Sequence, residues 1–222
     1  MPGDVAAACV AMARRHPLHR PSVHYPDWYL HRWHLLPEGY LSSRSVHLYD
    51  RYIRRLYWAG GESGVTRRLV AELKNSAAGS LLELGCGPGR TLAALARGLP
   101  GWKVDGVDLS PFMVEAARRR ASAAEVHHGD ALALPFDNGS RDMILAAHLV
   151  FHLPAREAQV AVLHEAFRLL RPGGAVILIE HAWHAPPPGP WRETQRSTAA
   201  VGLLRVTWLE RERPGSVTAP AS

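Results

Sequence analysis

Hydrophobic positions change period along the chain. From residue 61 onward, apolar residues at helical spacing alternate with short continuous apolar runs. Glu62–Lys74 reads as a helix with Val65, Leu69, Val70 and Leu73 inward. Ser80–Leu84 reads as a short strand, Arg90–Leu99 as a helix and Lys103–Val107 as a second strand. Ser110 is a good N-cap with Pro111 at the first helical position, so a further helix runs from there to about Arg120. Glu125–His128 and Asp142–Ala147 read as strands and Ala155–Leu170 as a long amphipathic helix. Arg171-Pro172-Gly173-Gly174 stops that helix and turns the chain into Ala175–Glu180, a strongly apolar, β-branched run. Continuous apolar strands alternating with helices predict an α/β fold built on a doubly wound, mostly parallel sheet. Ligands of such sheets bind outside the carboxyl ends of the strands.

Before residue 60 the pattern differs. On a helix from about Ser42 to Trp58, Val46, Tyr49, Ile53 and Leu56 form one stripe, with Arg44, His47, Arg51, Arg54 and Arg55 largely opposite. Of the net charge of +6, +4 lies in residues 1–60, and all six tyrosines fall between Tyr25 and Tyr57. The expected organisation is therefore a basic, aromatic arm with a lid helix over 1–60, a globular domain over 61–213 and a disordered tail over 214–222. A basic aromatic segment can hold nucleic acid by phosphate contact and stacking, or rest on an anionic lipid surface. The plainer alternative is a helix packed on the body with a solvated basic face. With 222 residues, 47 % hydrophobic and 21 % charged, the chain is neither disordered nor long enough for a second catalytic domain. No apolar run reaches the roughly 20 residues of a membrane span. Two cysteines and the lack of a secretory leader point to a reducing compartment, the cytoplasm.

The candidate chemistry sits at the predicted strand ends. After the first strand comes Glu83-Leu84-Gly85-Cys86-Gly87-Pro88-Gly89-Arg90, whose glycines permit a tight turn and close approach of a ligand. A dinucleotide fingerprint needs Gly-x-Gly-x-x-Gly or Ala, and Arg90 or Leu92 stands at its last position, so nicotinamide and flavin are disfavoured. Asp108 ends the second strand, where a carboxylate can accept both hydroxyls of a ribose. Asp130, in His128-Gly129-Asp130-Ala131, ends the third, where a short acid can take a hydrogen bond from an adenine amino group. Each acid alone reads equally as a strand-end cap; the ordered set of three does not.

These residues resemble the class I S-adenosylmethionine-dependent methyltransferases, in the style of those acting on quinones, lipid head groups and natural products. The resemblance rests on Leu81–Gly89, Gly106–Ser110, Gly129–Phe136, Asp142–His148 and Leu169–Gly174 and spans roughly residues 44–182. It implies a Rossmann-like fold and S-adenosylmethionine as cofactor. It further implies Glu83, Gly85, Cys86, Gly87 and Gly89 around the methionine end, and Asp108 on the ribose. Leu109 and Met113 would lie beside adenine, Asp130 and Ala131 at its edge, and His148 near the sulfonium. Cys86 reads as a small buried residue rather than a nucleophile.

Methyl transfer from a sulfonium is an in-line displacement, so the protein must mainly align the acceptor. A general base helps where the acceptor loses a proton. His148 and His152 follow the fourth strand, His181 and His184 the fifth; His152 is the first choice for a base, with His148 and His181 as further candidates. No Cys or convergent acid completes a metal ligand set among them, so no metal is expected. In similar enzymes an N-terminal helix with a Tyr-Asp pair closes over the cofactor, and Tyr49-Asp50 stand there. Tyr49, Tyr52 and Trp58, with His184, are candidates for the acceptor wall, and core packing explains those aromatics as well.

The C-terminal edge departs from the family. Only 42 residues follow Glu180; Pro186–Pro190 breaks the chain, Arg192–Gly202 reads as helical and Leu203–Leu209 as one strand. This predicts an incomplete edge, filled by the N-terminal segment or by a partner chain in a homodimer. The leading expectation is a small-molecule methyltransferase, with nucleic acid disfavoured and peripheral membrane contact left open. The alternatives are an RNA methyltransferase guided by the basic arm and a cofactor-binding protein that methylates nothing.

Overall fold

A computed structural model describes residues 2–30, 39–53, 61–199 and 203–211. Trp58 and the expected tail lie outside the described residues. Seven strands form one sheet in the order β3-β2-β1-β4-β5-β7-β6. They are β1 (Ser80–Leu84), β2 (Lys103–Asp108), β3 (Glu125–His128), β4 (Arg141–Ala147), β5 (Leu170–His181), β6 (Trp191–Ala199) and β7 (Leu204–Arg211). The first five pair in parallel, and β7 runs antiparallel to both neighbours.

Among the described residues the α-helices are α1 (Pro2–Arg14), α2 (Ser43–Leu48), α3 (Ser63–Lys74), α4 (Arg90–Gly98), α5 (Pro111–Arg120) and α6 (Arg156–Leu169). Strand alternation sends successive side chains to opposite faces. Leu81, Leu145, Ile177 and Ile179 meet Leu69 and Leu73 of α3 and Leu92 and Leu95 of α4 on one face. Leu82, Ile144, Val176 and Leu178 meet Val162, Leu163 and Phe167 of α6 on the other. The arm builds a third cluster, in which Cys9 and Ala13 of α1, Tyr29, Leu41 and Val46 pack on Phe112 and Met113 of α5.

The local signals operate as the residues suggest. The Ser110 hydroxyl accepts from the Met113 N–H at 3.3 Å, capping α5. Ser42 and Ser45 form a reciprocal capping box on α2. Over the described residues the expected lid helix runs as α2 to Leu48 and continues as a π-helical turn over Tyr49–Ile53; residues 54–58 of that expectation lie outside the described residues.

The C-terminal edge corrects the sequence reading. The sheet is complete, and Arg192–Gly202 is not helical, since Trp191–Ala199 is the edge strand. No helix lies between β5 and β6. Trp191 instead anchors the connection: its indole donates to the Pro187 carbonyl at 3.0 Å and stacks on Phe167 at 5.4 Å. Arg171–Gly174 form a bulge at the start of β5, with Leu170 opposite Arg141 and Ala175 opposite Met143. Among the described residues no helix is long and apolar enough to cross a membrane.

Candidate active site

The carboxyl ends of β1, β2, β3 and β4 surround two cavities that share Tyr49, Gly85, Gly87, Ala147 and His148. Gly85, Gly87 and Gly89 all adopt positive φ. The Gly87 N–H donates to one Asp108 oxygen at 2.8 Å, and the Ser110 N–H donates to the other at 2.8 Å. Each carboxylate oxygen therefore keeps lone-pair capacity for a further donor. Burial pushes Asp108 up to about 6, against the pull of those two N–H groups.

The larger cavity is lined by Asp108, Leu109, Met113, Asp130 and Ala131, and closes on His148 and His152. Asp130 accepts from the Leu132 N–H at 2.9 Å, and its carboxyl is pushed up by burial. The smaller cavity is lined by Glu83, Cys86, Glu62 and Arg90 among others. Glu83 is 3 % exposed, and its Oε2 is buried without a partner. Burial raises Glu83 well above the ordinary carboxylate range, and the charges of Glu62 and Asp108 raise it further. Burial likewise raises the Cys86 thiol, which supports a packing role rather than a thiolate. Gly89 lines neither cavity; its Cα faces Ala117 of α5.

His148 leaves β4 in left-handed backbone at φ 54°, which is uncommon for a residue with a Cβ. Its N–H still donates to Ile179 of β5 at 2.7 Å. The bend directs the Val150–His152 turn across the cavity, where Glu180 fixes it by accepting from the Val150 N–H at 2.9 Å. Burial pushes Glu180 up to about 8. His152 Nδ1 bonds to the His148 carbonyl, which can only accept, so the proton sits on Nδ1 and Nε2 is the basic nitrogen.

Three more of the sequence candidates do not line these two cavities, although His181 stands beside His148, ring centres 5.3 Å apart. His181 stacks on Trp183 at 4.3 Å, and both His181 and His184 pack edge-on against Phe151. Neither lines either of these two cavities, because a strand end fixes the height of a side chain but not the side it faces. Tyr52 is 58 % exposed, and Trp58 lies outside the described residues. The aromatic rings that line the larger cavity are those of Trp28, Tyr29, Tyr40 and Tyr49. Clustering of every tyrosine in the arm was the only sequence signal for them. Glu62 carried no signal, because at the start of a helix an acid reads as a favourable charge on the dipole.

The turn after α2 is tied to the glycine turn. Asp50 accepts from Arg90 Nη2 at 2.5 Å and from Arg120 Nη2 at 2.6 Å. Those hydrogen bonds outweigh burial and hold the Asp50 carboxyl below its ordinary range. Arg120 also reaches the Pro88 carbonyl. Arg90, at the position that a dinucleotide fold gives to its last small residue, thus reaches toward Asp50 in the turn after α2.

A family profile described as a methyltransferase domain matches residues 81–174. The demethylmenaquinone methyltransferase of Thermus thermophilus is 33 % identical over 166 residues, 73 % of this chain and 69 % of that protein. The 27-O-demethylrifamycin SV methyltransferase of Amycolatopsis mediterranei is 32 % identical over 153 residues, 66 % of this chain and 55 % of that one. A TehB-like S-adenosylmethionine-dependent methyltransferase from Corynebacterium glutamicum shares the fold, with a TM-score of 0.62 over 77 % of this chain and 100 % of that one, at 18 % identity. The chain spans between 30 % and 69 % of the length of four curated relatives. The chain belongs to the class I S-adenosylmethionine-dependent methyltransferases, and S-adenosylmethionine is the cofactor of this domain. The residues present fit that group: Asp108 has capacity for hydroxyls, and Glu83 offers a buried oxygen in want of a donor. An added Cβ at Gly87 would meet nothing within 4 Å, so the turn's outer face is open.

Proposed function

We propose that the domain methylates a small-molecule acceptor held between the aromatic arm and the turn after β4. The reading rests above all on the cavity that joins the strand tips to this wall, with His148 and His152 on its rim. Asp108 takes the ribose hydroxyls, and Asp130 and Ala131 meet the adenine edge, with Leu109 and Met113 beside the ring. Glu83 and the Gly85–Gly87 turn hold the methionine end. When bound, the cofactor supplies a methyl group on a sulfonium sulfur. The chain's own work is to exclude water, orient the acceptor and, for a phenol or carbon acid, receive its proton at His152 Nε2. The names of the relatives from Thermus thermophilus and Amycolatopsis mediterranei support an acceptor of quinone or natural-product type. In this reading residues 61–213 bind the cofactor and residues 1–60 cover it. Both cysteines are free and buried, in keeping with a cytoplasmic enzyme.

The test is transfer of a labelled methyl group to a panel containing demethylmenaquinone, phenolic small molecules and bulk RNA. Label is expected in a small molecule, with His152→Ala lowering the rate on a phenolic acceptor by about 100-fold or more. Label in RNA alone, or in no product despite cofactor binding, would overturn the reading.

A further inference from the structure

Two carboxylates and one guanidinium line the smaller cavity. Glu62 and Glu83 line it together, and Asp108 stands at the next strand tip. The guanidinium in its wall, Arg90, is bound to Asp50 through Nε at 3.1 Å and Nη2 at 2.5 Å. Glu62 precedes α3 and makes no capping bond to its own helix. Its carboxylate turns instead toward α4, where the Thr91 hydroxyl donates to it at 3.4 Å. Glu83 approaches from the tip of β1 with Oε2 buried and unpartnered. Two carboxylates from separate elements thus converge on one small space, at the cost of mutual repulsion. Burial, then the neighbouring charge, raises Glu83, and burial raises Glu62 against the pull of the Thr91 hydroxyl and the Arg90 guanidinium. Such an arrangement is stable only when a cation enters or when the acids stay protonated.

We propose that Glu62 is a second carboxylate of the cofactor site, gripping with Glu83 the α-ammonium group at the methionine end. This rests on the placement of the methionine end given under the proposed function. An ammonium group has three donors, which suits two carboxylates meeting at an angle. It neutralises the repulsion that the empty pair carries.

The experiment is calorimetric titration of the whole chain with S-adenosylhomocysteine and with its deaminated analogue, which keeps the carboxylate and lacks only the ammonium. Wild type is expected to prefer S-adenosylhomocysteine. Glu62→Gln is expected to lose roughly tenfold or more in affinity for it, as for a charge-assisted hydrogen bond, and to bind the deaminated analogue as wild type does. Equal affinity of wild type and variant for S-adenosylhomocysteine overturns the proposal, and so does an equal loss for both ligands. Should Glu62→Gln not fold, Glu62→Asp, which keeps the charge and shortens the reach, is titrated with the same expectation of a reduced preference. Wild type that binds neither ligand overturns the placement of the cofactor itself. Wild type that binds both equally refutes the ammonium grip alone.

Discussion

Gly87 and Gly89 share left-handed backbone, at φ 51° and 76°, yet their surroundings differ. A Cβ on Gly89 would lie 2.8 Å from the Ala117 Cα, an atom of the α5 backbone that cannot swing aside. A Cβ on Gly87 would meet no protein atom within 4 Å. Gly87→Ala is therefore expected to destabilise the fold by about 1–2 kcal/mol, the cost of left-handed backbone alone. Gly89→Ala adds the overlap with α5, about 1–3 kcal/mol more. Cofactor affinity should rank the other way, because the Gly87 methyl intrudes on the open face of the turn. Urea unfolding and calorimetry of the two variants check the crossed order, and a common order in both assays would contradict it. At this scale Asp108, Asp130 and the glycines were legible in the sequence because chain order ties them to strand ends. Glu62, Trp28 and Tyr40 were not, because their positions depend on how a separate segment folds back.

Among the elements, the parallel strands were legible within a residue or two at most ends, since buried strands leave continuous apolar runs. The edge was not. Arg192–Ser197 is polar and largely exposed, and the register slips between Glu193 and Gln195, so no period-two pattern survives to mark β6. Partner strand β7 makes it a strand, a long-range cause that local composition does not record. The segment after α2 adds what no periodicity shows: its helical pattern is legible, but a side chain secures it to the body. Asp50 ties the turn after α2 to both α4 and α5 through Arg90 and Arg120. Asp50 is about a quarter exposed, so Asn in its place should cost only about 1 kcal/mol of global stability. Its larger effect is expected on cofactor binding, which should weaken as the lid loosens. Salt should weaken binding to wild type more than to Asp50→Asn, because the variant has already lost the screened pairs. Titrations at low and high salt test this, and parallel salt slopes would remove the lid's electrostatic anchor.

Across the whole molecule, the arm reads as part of the site because its backbone is bonded to the sheet. The Arg20 N–H donates to His128 Nδ1 at 2.9 Å, while His128 Nε2 donates to the Leu109 carbonyl at 2.9 Å. One neutral imidazole at the tip of β3 thus joins the arm to the loop that lies beside the larger cavity. Protonation would leave Nδ1 with a hydrogen facing the Arg20 N–H, so the contact requires the neutral ring. Burial lowers the folded pKa of His128 from 6.5 to about 4. Below pH 6.5 the unfolded chain takes up a proton that the folded chain refuses, so this stabilisation is complete above 6.5 and is lost as pH falls toward 4. Over that window the loss amounts to roughly 3 kcal/mol. Buried Asp108 and Glu180 titrate in the opposite sense, with folded values raised, so a melting curve of wild type alone mixes the two. The difference between wild type and His128→Gln isolates the histidine. Thermal melts from pH 7 to pH 4 should show wild type losing stability faster than the variant. Sensitivity of the Arg14–Arg20 peptide bonds to a protease active in acid should rise in wild type over the same range. Identical pH slopes would mean that the His128 contact does not hold the arm, leaving it to the apolar contacts of α1 and Tyr29 and to bonds such as that from the Ser110 hydroxyl to the Tyr40 carbonyl.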